Sequence, residues 1–350
     1  MPISLDKIER ISFEVIKVLF SRFDNFPEDA SNNRNAPFHK AFLNAFADKL
    51  QDKVSDIPFF ISLSSWLHGL NTTLGQSFFE NVAHILSDGE KREYTSKKPH
   101  GNLLITKQQK ENVNNIITDL STATTLPNLI DENKRIFINE ASKLVSAIDF
   151  SVDVFMEDPS TITAIELKSV RPNSGEMRGE KQKILEGKAA LFKKFPSKAI
   201  KFFIGFPFDH TNEEPETGYD KTRFLSSNIN MSKVFAGDEV LLASELWDFL
   251  SGVSSTMEQL LQIINKIATT EFLERYRFIN NHHNKLENII LYQQKLTDWN
   301  LYSELKLVND ETIIKEKIGT DKKLNRIFNQ LTFKDGDYNS NRYNALNSLL

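Results

Sequence analysis

The chain has 350 residues, no cysteine, 13 glycines and 27 phenylalanines; 43 basic against 47 acidic side chains leave a formal charge of −4. Without a thiol there is no disulfide framework, no thiolate zinc or iron–sulfur site and no cysteine nucleophile. Glycine well below the usual ~7% also argues against glycine-rich phosphate cradles and propeller repeats.

Hydrophobic residues at 40% and charged residues at 26% fit a folded globular chain of about two domains. The N-terminal stretch MPISLDKIERISFEVIKVLF has no basic region, long apolar run or small-residue cleavage site. Nowhere do 18 apolar residues follow one another. The expectation is a soluble, cytoplasmic protein with no membrane partner.

Ile8, Ile11, Val15, Val18 and Leu19 have helical spacing, and amphipathic helices are predicted over Phe38 to Leu50 and Leu74 to Leu86. The polar run SDGEKREYTSKKPHGN (87–102) reads as a long exposed loop, and a helix is predicted from Asp131 to Val145. The period then changes. Ile148, Phe150, Val152, Val154 and Met156 alternate with Asp149, Ser151, Asp153 and Phe155, which predicts a strand. Glu157-Asp158-Pro159-Ser160 is turn chemistry, and a second strand runs from Ile162 to Val170. The loop RPNSGEMRG leads into a helix from Glu180 to Phe195, and AIKFFIGF (Ala199 to Phe206) is a buried third strand. Residues 238–253 and 255–295 read as helical; 296–350 carry no clear pattern. The fold class expected is α/β, a small mixed sheet flanked by helices with helical extensions at both ends. The boundaries expected are a helical region over 1–130, a core over 131–254, and a helical region over 255–350 for DNA recognition or dimerisation.

Glu166 and Lys168 lie two apart on the second strand and project from one face. Charges in an apolar strand are costly unless paired or used. If residues 157–160 close a four-residue hairpin, Met156 pairs with Thr161 and Asp149 falls opposite Lys168, diagonal to Glu166. Asp153 is diagonal to Glu166 on the side away from Lys168, so Asp149 is the better partner in that register. Asp149 and Glu166, with the carbonyl of Leu167, then offer hard oxygen ligands to Mg²⁺, or to Mn²⁺ in its place. Such a set suits phosphodiester hydrolysis, with Lys168 positioning the attacking water or stabilising developing negative charge. The plain alternative is a structural salt bridge.

The segments IDFSVDVF and ITAIELKS resemble the metal-binding core of the PD-(D/E)XK nuclease superfamily, with Ile148 where the family's proline stands. The longer run IELKSVRPNSGEMRGEKQKILEGKAALFKKF resembles type II restriction endonucleases of the TdeIII type, as do FIGFPFDH, ELWDFLSG and LGQSFFENVAHIL. The resemblance covers residues 65–255. It implies a PD-(D/E)XK core, a homodimer cutting double-stranded DNA at a GGNCC or GGWCC type of palindrome, and a paired DNA methyltransferase. It also makes Glu80 an auxiliary support of the metal site, and Glu140 a weaker one. Both read otherwise as solvated helix residues.

DNA contacts are expected from Lys181, Arg171, Asn173 and Arg178. Lys181 and Lys188 share the apolar arc of Ile184, Leu185, Leu191, Phe192 and Phe195; Lys181 is the phosphate candidate and Lys188 is expected to snorkel. His282 and His283 read as a solvated loop. A repair or structure-specific nuclease of the same fold, or a non-enzymatic DNA- or protein-binding module, are the rival readings. Residues 165–204 carry ten basic and four acidic side chains, a local +6 against −10 for the rest, so the negative total does not exclude DNA.

Overall fold

The computed structural model describes residues 2–28, 57–98, 101–139, 141–168, 174–228 and 231–350, with positions 43, 50 and 53. The helix expected over 38–50, the loop residues Arg171 and Asn173, and Glu140 lie outside the described residues. The chain divides into two compact units: residues 1–3 with 79–259, and residues 4–78 with 260–350.

In chain order the elements begin with α1 (Leu5–Asp24), α2 (Ile57–Thr73), a π-helical turn (Leu74–Phe78) and α3 (Phe79–Ser87). Next come β1 (Glu90–Tyr94), β2 (Leu104–Thr106), α4 (Lys107–Ser121), α5 (Leu129–Ile136), β3 (Leu144–Ser146), β4 (Phe150–Glu157) and β5 (Thr161–Leu167). They are followed by α6 (Ser174–Lys194), β6 (Ala199–Phe206), α7 (Lys221–Ser227), α8 (Met231–Val234), β7 (Val240–Leu242), α9 (Ser244–Ser251) and α10 (Thr256–Ile267).

The first unit is built on a five-stranded mixed sheet of order β1-β4-β5-β6-β7. β4 pairs antiparallel with β1 and β5, whereas β6 runs parallel to β5 and β7. α6 is the crossover that a parallel β5–β6 pair requires. β5 is buried along nearly its whole length, as a central strand covered on both faces must be. α6 packs on β6 and against α4, α5 and α8; α3 and α9 pack on each other and on β4 and β7 respectively. Gly187 lets α6 approach closely: a Cβ there would meet the Phe202 ring at 2.7 Å and the Phe150 ring at 3.3 Å. The phenylalanine excess serves this core, where Phe150, Phe155, Phe202 and Phe206 are buried.

Four sequence expectations change. The stretch read as a loop over 87–102 contains β1, an edge strand whose residues are charged except for Tyr94, which is buried. Charged edge strands are how sheets avoid pairing with neighbours, and the charges hid the strand. The helix expected over 131–145 ends at Ile136 and is followed by β3. A short strand, β7, precedes α9 inside the region read as helical. α4 was not anticipated, although Thr106 and Gln109 form a reciprocal capping box, with N–H···O distances of 3.1 and 2.9 Å.

In the second unit, α1 buries Ile11, Val15 and Ile16. The C-terminal stretch resolves into α11 (Phe272–Asn280), α12 (His283–Glu287), α13 (Ile289–Asp298), α14 (Tyr302–Asn309), α15 (Glu311–Ile318), α16 (Lys322–Phe328), a β8–β9 hairpin (Phe333–Lys334, Asp337–Tyr338) and α17 (Ser340–Asn347). Trp299 stacks on Phe272 at 5.3 Å, and the Arg342 guanidinium donates to both carboxylate oxygens of buried Glu304 at 2.8 and 2.9 Å. His282 is half-buried beside Thr332 rather than solvated, while His283 is exposed.

Candidate active site

The β4–β5 hairpin sets the site. Asp158 accepts the N–H groups of Ser160 and Thr161 through its side chain at 2.8 and 2.7 Å, and its own N–H donates to the Thr161 carbonyl. The connection is thus two residues, Pro159 and Ser160, where the sequence suggested four. Met156 pairs with Thr163 rather than Thr161, and Val154 with Ile165. One step further along that register sets Asp153 opposite Glu166. A two-residue shift keeps every side chain on its face but moves it along the strand by one repeat.

Asp153, not Asp149, is therefore the aspartate beside Glu166. Its Oδ2 accepts the Leu167 N–H at 2.9 Å, and its carbonyl oxygen lies 2.6 Å from His84 Nε2. Asp149 precedes β4, is exposed, and accepts a hydrogen bond from Asn102 Nδ2 at 2.5 Å. Leu167 closes β5.

Glu166 is buried, and burial together with the Asp153 charge pushes its carboxyl above the usual range despite Lys183 and Lys168 nearby. Its Oε1 accepts from Lys183 Nζ at 2.6 Å and lies 3.3 Å from Lys168 Nζ. Its Oε2 is buried with no hydrogen-bond partner among the described residues. Lys168 Nζ also donates to Glu180 at 2.8 Å, and Lys183 lies 3.5 Å from Glu180. Burial works against the Lys168 charge, but Glu166 and Glu180 outweigh it and hold the ammonium above its ordinary range. Glu166, Lys168, Glu180 and Lys183 thus form a ring of alternating charge between β5 and α6.

Glu80, on the first turn of α3, joins the site through Lys91 of β1, whose Nζ lies 2.8 Å from Glu80 Oε2 and 3.5 Å from Asp153 Oδ1. Among the described residues no three carboxylate or histidine side chains are gathered closely enough to make a ready cation cage. The donor set is a cross-strand carboxylate pair with one orphaned oxygen. It fits a small hard cation that binds through one or two carboxylates and completes its shell with water and phosphate.

Lys181 is not available to DNA. It is fully buried, with its Nζ 2.6 Å from Glu239 Oε2 and 2.5 Å from Glu132 Oε2. Lys188 does not snorkel either: it is buried 3.2 Å from Glu239 Oε1. Burial pushes the Lys188 ammonium down, while the two lysines outweigh burial at Glu239 and hold that carboxyl low. Both lysines face the core because their negative partners are there. Arg178 is exposed on α6. Sequence reasoning missed Lys91, Glu180 and Lys183. The i, i+3 spacing of Glu180 and Lys183 on the helix after the strand was the one available signal.

A central mixed sheet flanked by helices is the architecture of a restriction-endonuclease-like fold. Residues 5–268 match the family model described as "Type II restriction endonuclease, HinfI", and the chain belongs to that family. It is 44% identical to the type II restriction enzyme MjaII of Methanocaldococcus jannaschii, over 98% of this chain and 96% of that protein. No solved structure matches the chain. The protein is a type II restriction enzyme, a site-specific deoxyribonuclease whose substrate is DNA, in a class that generally uses divalent metal ions. The repair-nuclease and non-enzymatic readings fall away. The TdeIII type suggested by the motifs and the HinfI family agree at the level of the type II restriction endonuclease. No helix among the described residues is long and apolar enough to cross a membrane.

Proposed function

We propose that the enzyme is a Mg²⁺-dependent nuclease of the PD-(D/E)XK kind whose site is Asp153, Glu166 and Lys168, with Glu80 as an auxiliary carboxylate. The observation that carries this is the pairing of Asp153 with Glu166 across the hairpin, Glu166 Oε2 being buried and unpartnered. Asp153 Oδ1, Glu166 Oε2 and the Leu167 carbonyl are the oxygens that would hold the ion. When bound, a divalent cation supplies a Lewis acid for the phosphoryl oxygen and an acidified water.

The chain's own residues do the rest. The Leu167 N–H fixes the Asp153 carboxylate, leaving one oxygen for the ion. Lys168, kept charged by Glu166 and Glu180, acts as a donor. It orients the attacking water or stabilises the charge that develops on the phosphoryl group, and it is not a general base. Lys183 and Glu180 hold the Glu166 and Lys168 side chains in place. Arg178, exposed on α6, contacts the phosphate backbone.

The substrate is a double-stranded palindrome of GGNCC or GGWCC type, cut by a homodimer whose two sites are related by the symmetry of the DNA. A DNA methyltransferase protects the same sequence in the host, and Mn²⁺ substitutes for Mg²⁺. The test is to incubate plasmid with protein and Mg²⁺ and to sequence the ends by run-off. One motif with symmetric cuts on the two strands is expected, and Lys168→Ala lowers the rate by about 10³-fold or more, the scale of losing one electrostatic donor. Random ends, or full activity in the variant, would sink the reading.

A further inference from the structure

Lys91 is placed with more care than an edge-strand lysine needs. β1 pairs with β4 in regular antiparallel register from Arg92 to Tyr94, but the register shifts between Glu90 and Arg92. There β4 carries the extra residue, so that Lys91 alone on β1 faces both Asp153 and Val154. Bulges of this kind re-aim a side chain and recur beside active sites. Here the side chain reaches two acids at once, Glu80 Oε2 at 2.8 Å and Asp153 Oδ1 at 3.5 Å. The two carboxylates are 16% and 15% exposed, whereas Lys91 is 41% exposed. The acids are fixed in the protein, and the lysine has a route out to solvent.

The oxygens around the hairpin are not equally committed. Asp153 Oδ2 is taken by the Leu167 N–H, and Glu166 Oε1 by Lys183 and Lys168. Glu166 Oε2 has no hydrogen-bond partner among the described residues. Asp153 Oδ1 has Lys91. Of the acceptors proposed above for a divalent ion, one is free and one is held by an ammonium on a flexible stem.

We propose that Lys91 is a built-in competitor for the metal: its ammonium and the divalent cation share Asp153 Oδ1 and Glu80 Oε2, so the ion loads only as Lys91 leaves. This rests on the Asp153–Glu166 reading of the site. Lys91 neutralises acids that would otherwise repel each other and the DNA. It thereby sets a threshold on the free cation concentration at which the nuclease becomes competent. Once displaced, its charge lies at the exposed edge of the sheet, where a phosphate backbone can use it.

The test is Mn²⁺ binding to the DNA-free, full-length protein, followed by electron paramagnetic resonance and calorimetry. Wild type, Lys91→Met, Lys91→Gln and Asp153→Asn are compared. Removing the competing ammonium tightens Mn²⁺ binding by about tenfold in both Lys91 variants, the scale of a partly exposed ion pair that bridges two acids. Asp153→Asn abolishes the tight site. If Lys91→Met and Lys91→Gln bind Mn²⁺ no better than wild type while Asp153→Asn loses it, Lys91 is no competitor and the metal site stands. If Asp153→Asn binds as wild type does, the site reading fails and this inference with it.

Discussion

Asp153 is fixed from three sides: the Leu167 N–H on Oδ2, Lys91 on Oδ1 and His84 on its own carbonyl oxygen. These contacts fix where the carboxylate sits. In the other unit, His282 titrates where it can be measured. Burial, with Arg342 and Lys285 nearby, lowers the His282 imidazole from 6.5 to about 4. Between those values the unfolded chain binds the proton that the folded one refuses. The stability His282 contributes is therefore complete above pH 6.5 and lost as pH falls towards 4. Allowing for its partial exposure, the loss is about 2 kcal/mol. Urea unfolding from pH 7.5 to 4.5 should show wild type losing that much more than His282→Gln; parallel curves would contradict it. At this scale the sequence was legible for Glu166 and Lys168, whose spacing alone puts them on one face. It was not legible for the aspartate. The choice between Asp149 and Asp153 depended on whether the hairpin loop holds four residues or two. Asp158 decides that by turning its side chain onto Ser160 and Thr161, an interaction that the Glu-Asp-Pro-Ser string permits but does not require.

α6 carries two kinds of charge on two faces. Glu180 and Lys183 turn towards β5 and the site, while Lys181 and Lys188 turn inward to Glu132 and Glu239. The inward lysines tie the helix to α5 and to the turn before β7. Gly187 and the Glu186 carboxylate, which accepts the Ile148 N–H at 2.9 Å, tie it to β6 and to the start of β4. A buried quartet of this kind is weak evidence for net stability, but breaking it is expensive because the remaining charges stay buried. Glu239→Ala, which strands Lys188 and leaves Lys181 with Glu132 alone, should cost about 3–5 kcal/mol in urea unfolding. A loss below 1 kcal/mol would show that the helix does not depend on these pairs. Periodicity found the apolar arc of α6 and placed both lysines on it. The partners, Glu132 and Glu239, come from distant parts of the sequence, and no local pattern reports those.

At the scale of the molecule, residues near both ends of the chain belong to one unit, and the sheet with its flanking helices makes the other. The five-stranded sheet recruits β1 from a stretch read as a loop, and β1 brings Lys91 to the acids. The strands β4, β5 and β6 were legible because alternation and a continuous apolar run distinguish a half-covered strand from a fully covered one. β1 and β7 were not, the one being charged and the other only three residues long. The formal charge of −4 averages a basic segment around the site with acidic surroundings. Part of that basic charge is internal, since Lys181 and Lys188 are buried, so the positive surface that meets DNA is smaller than the sequence count implies.

In the proposed site Asp153 and Glu166 form the metal-binding pair and Asp149 takes no part. The direct measurement is cleavage of one plasmid in Mg²⁺ by wild type, Asp149→Asn and Asp153→Asn, each first shown to be folded. Discrete fragments from wild type and Asp149→Asn, with none from Asp153→Asn, are predicted. Cleavage that survives in Asp153→Asn and disappears in Asp149→Asn would contradict the site described here.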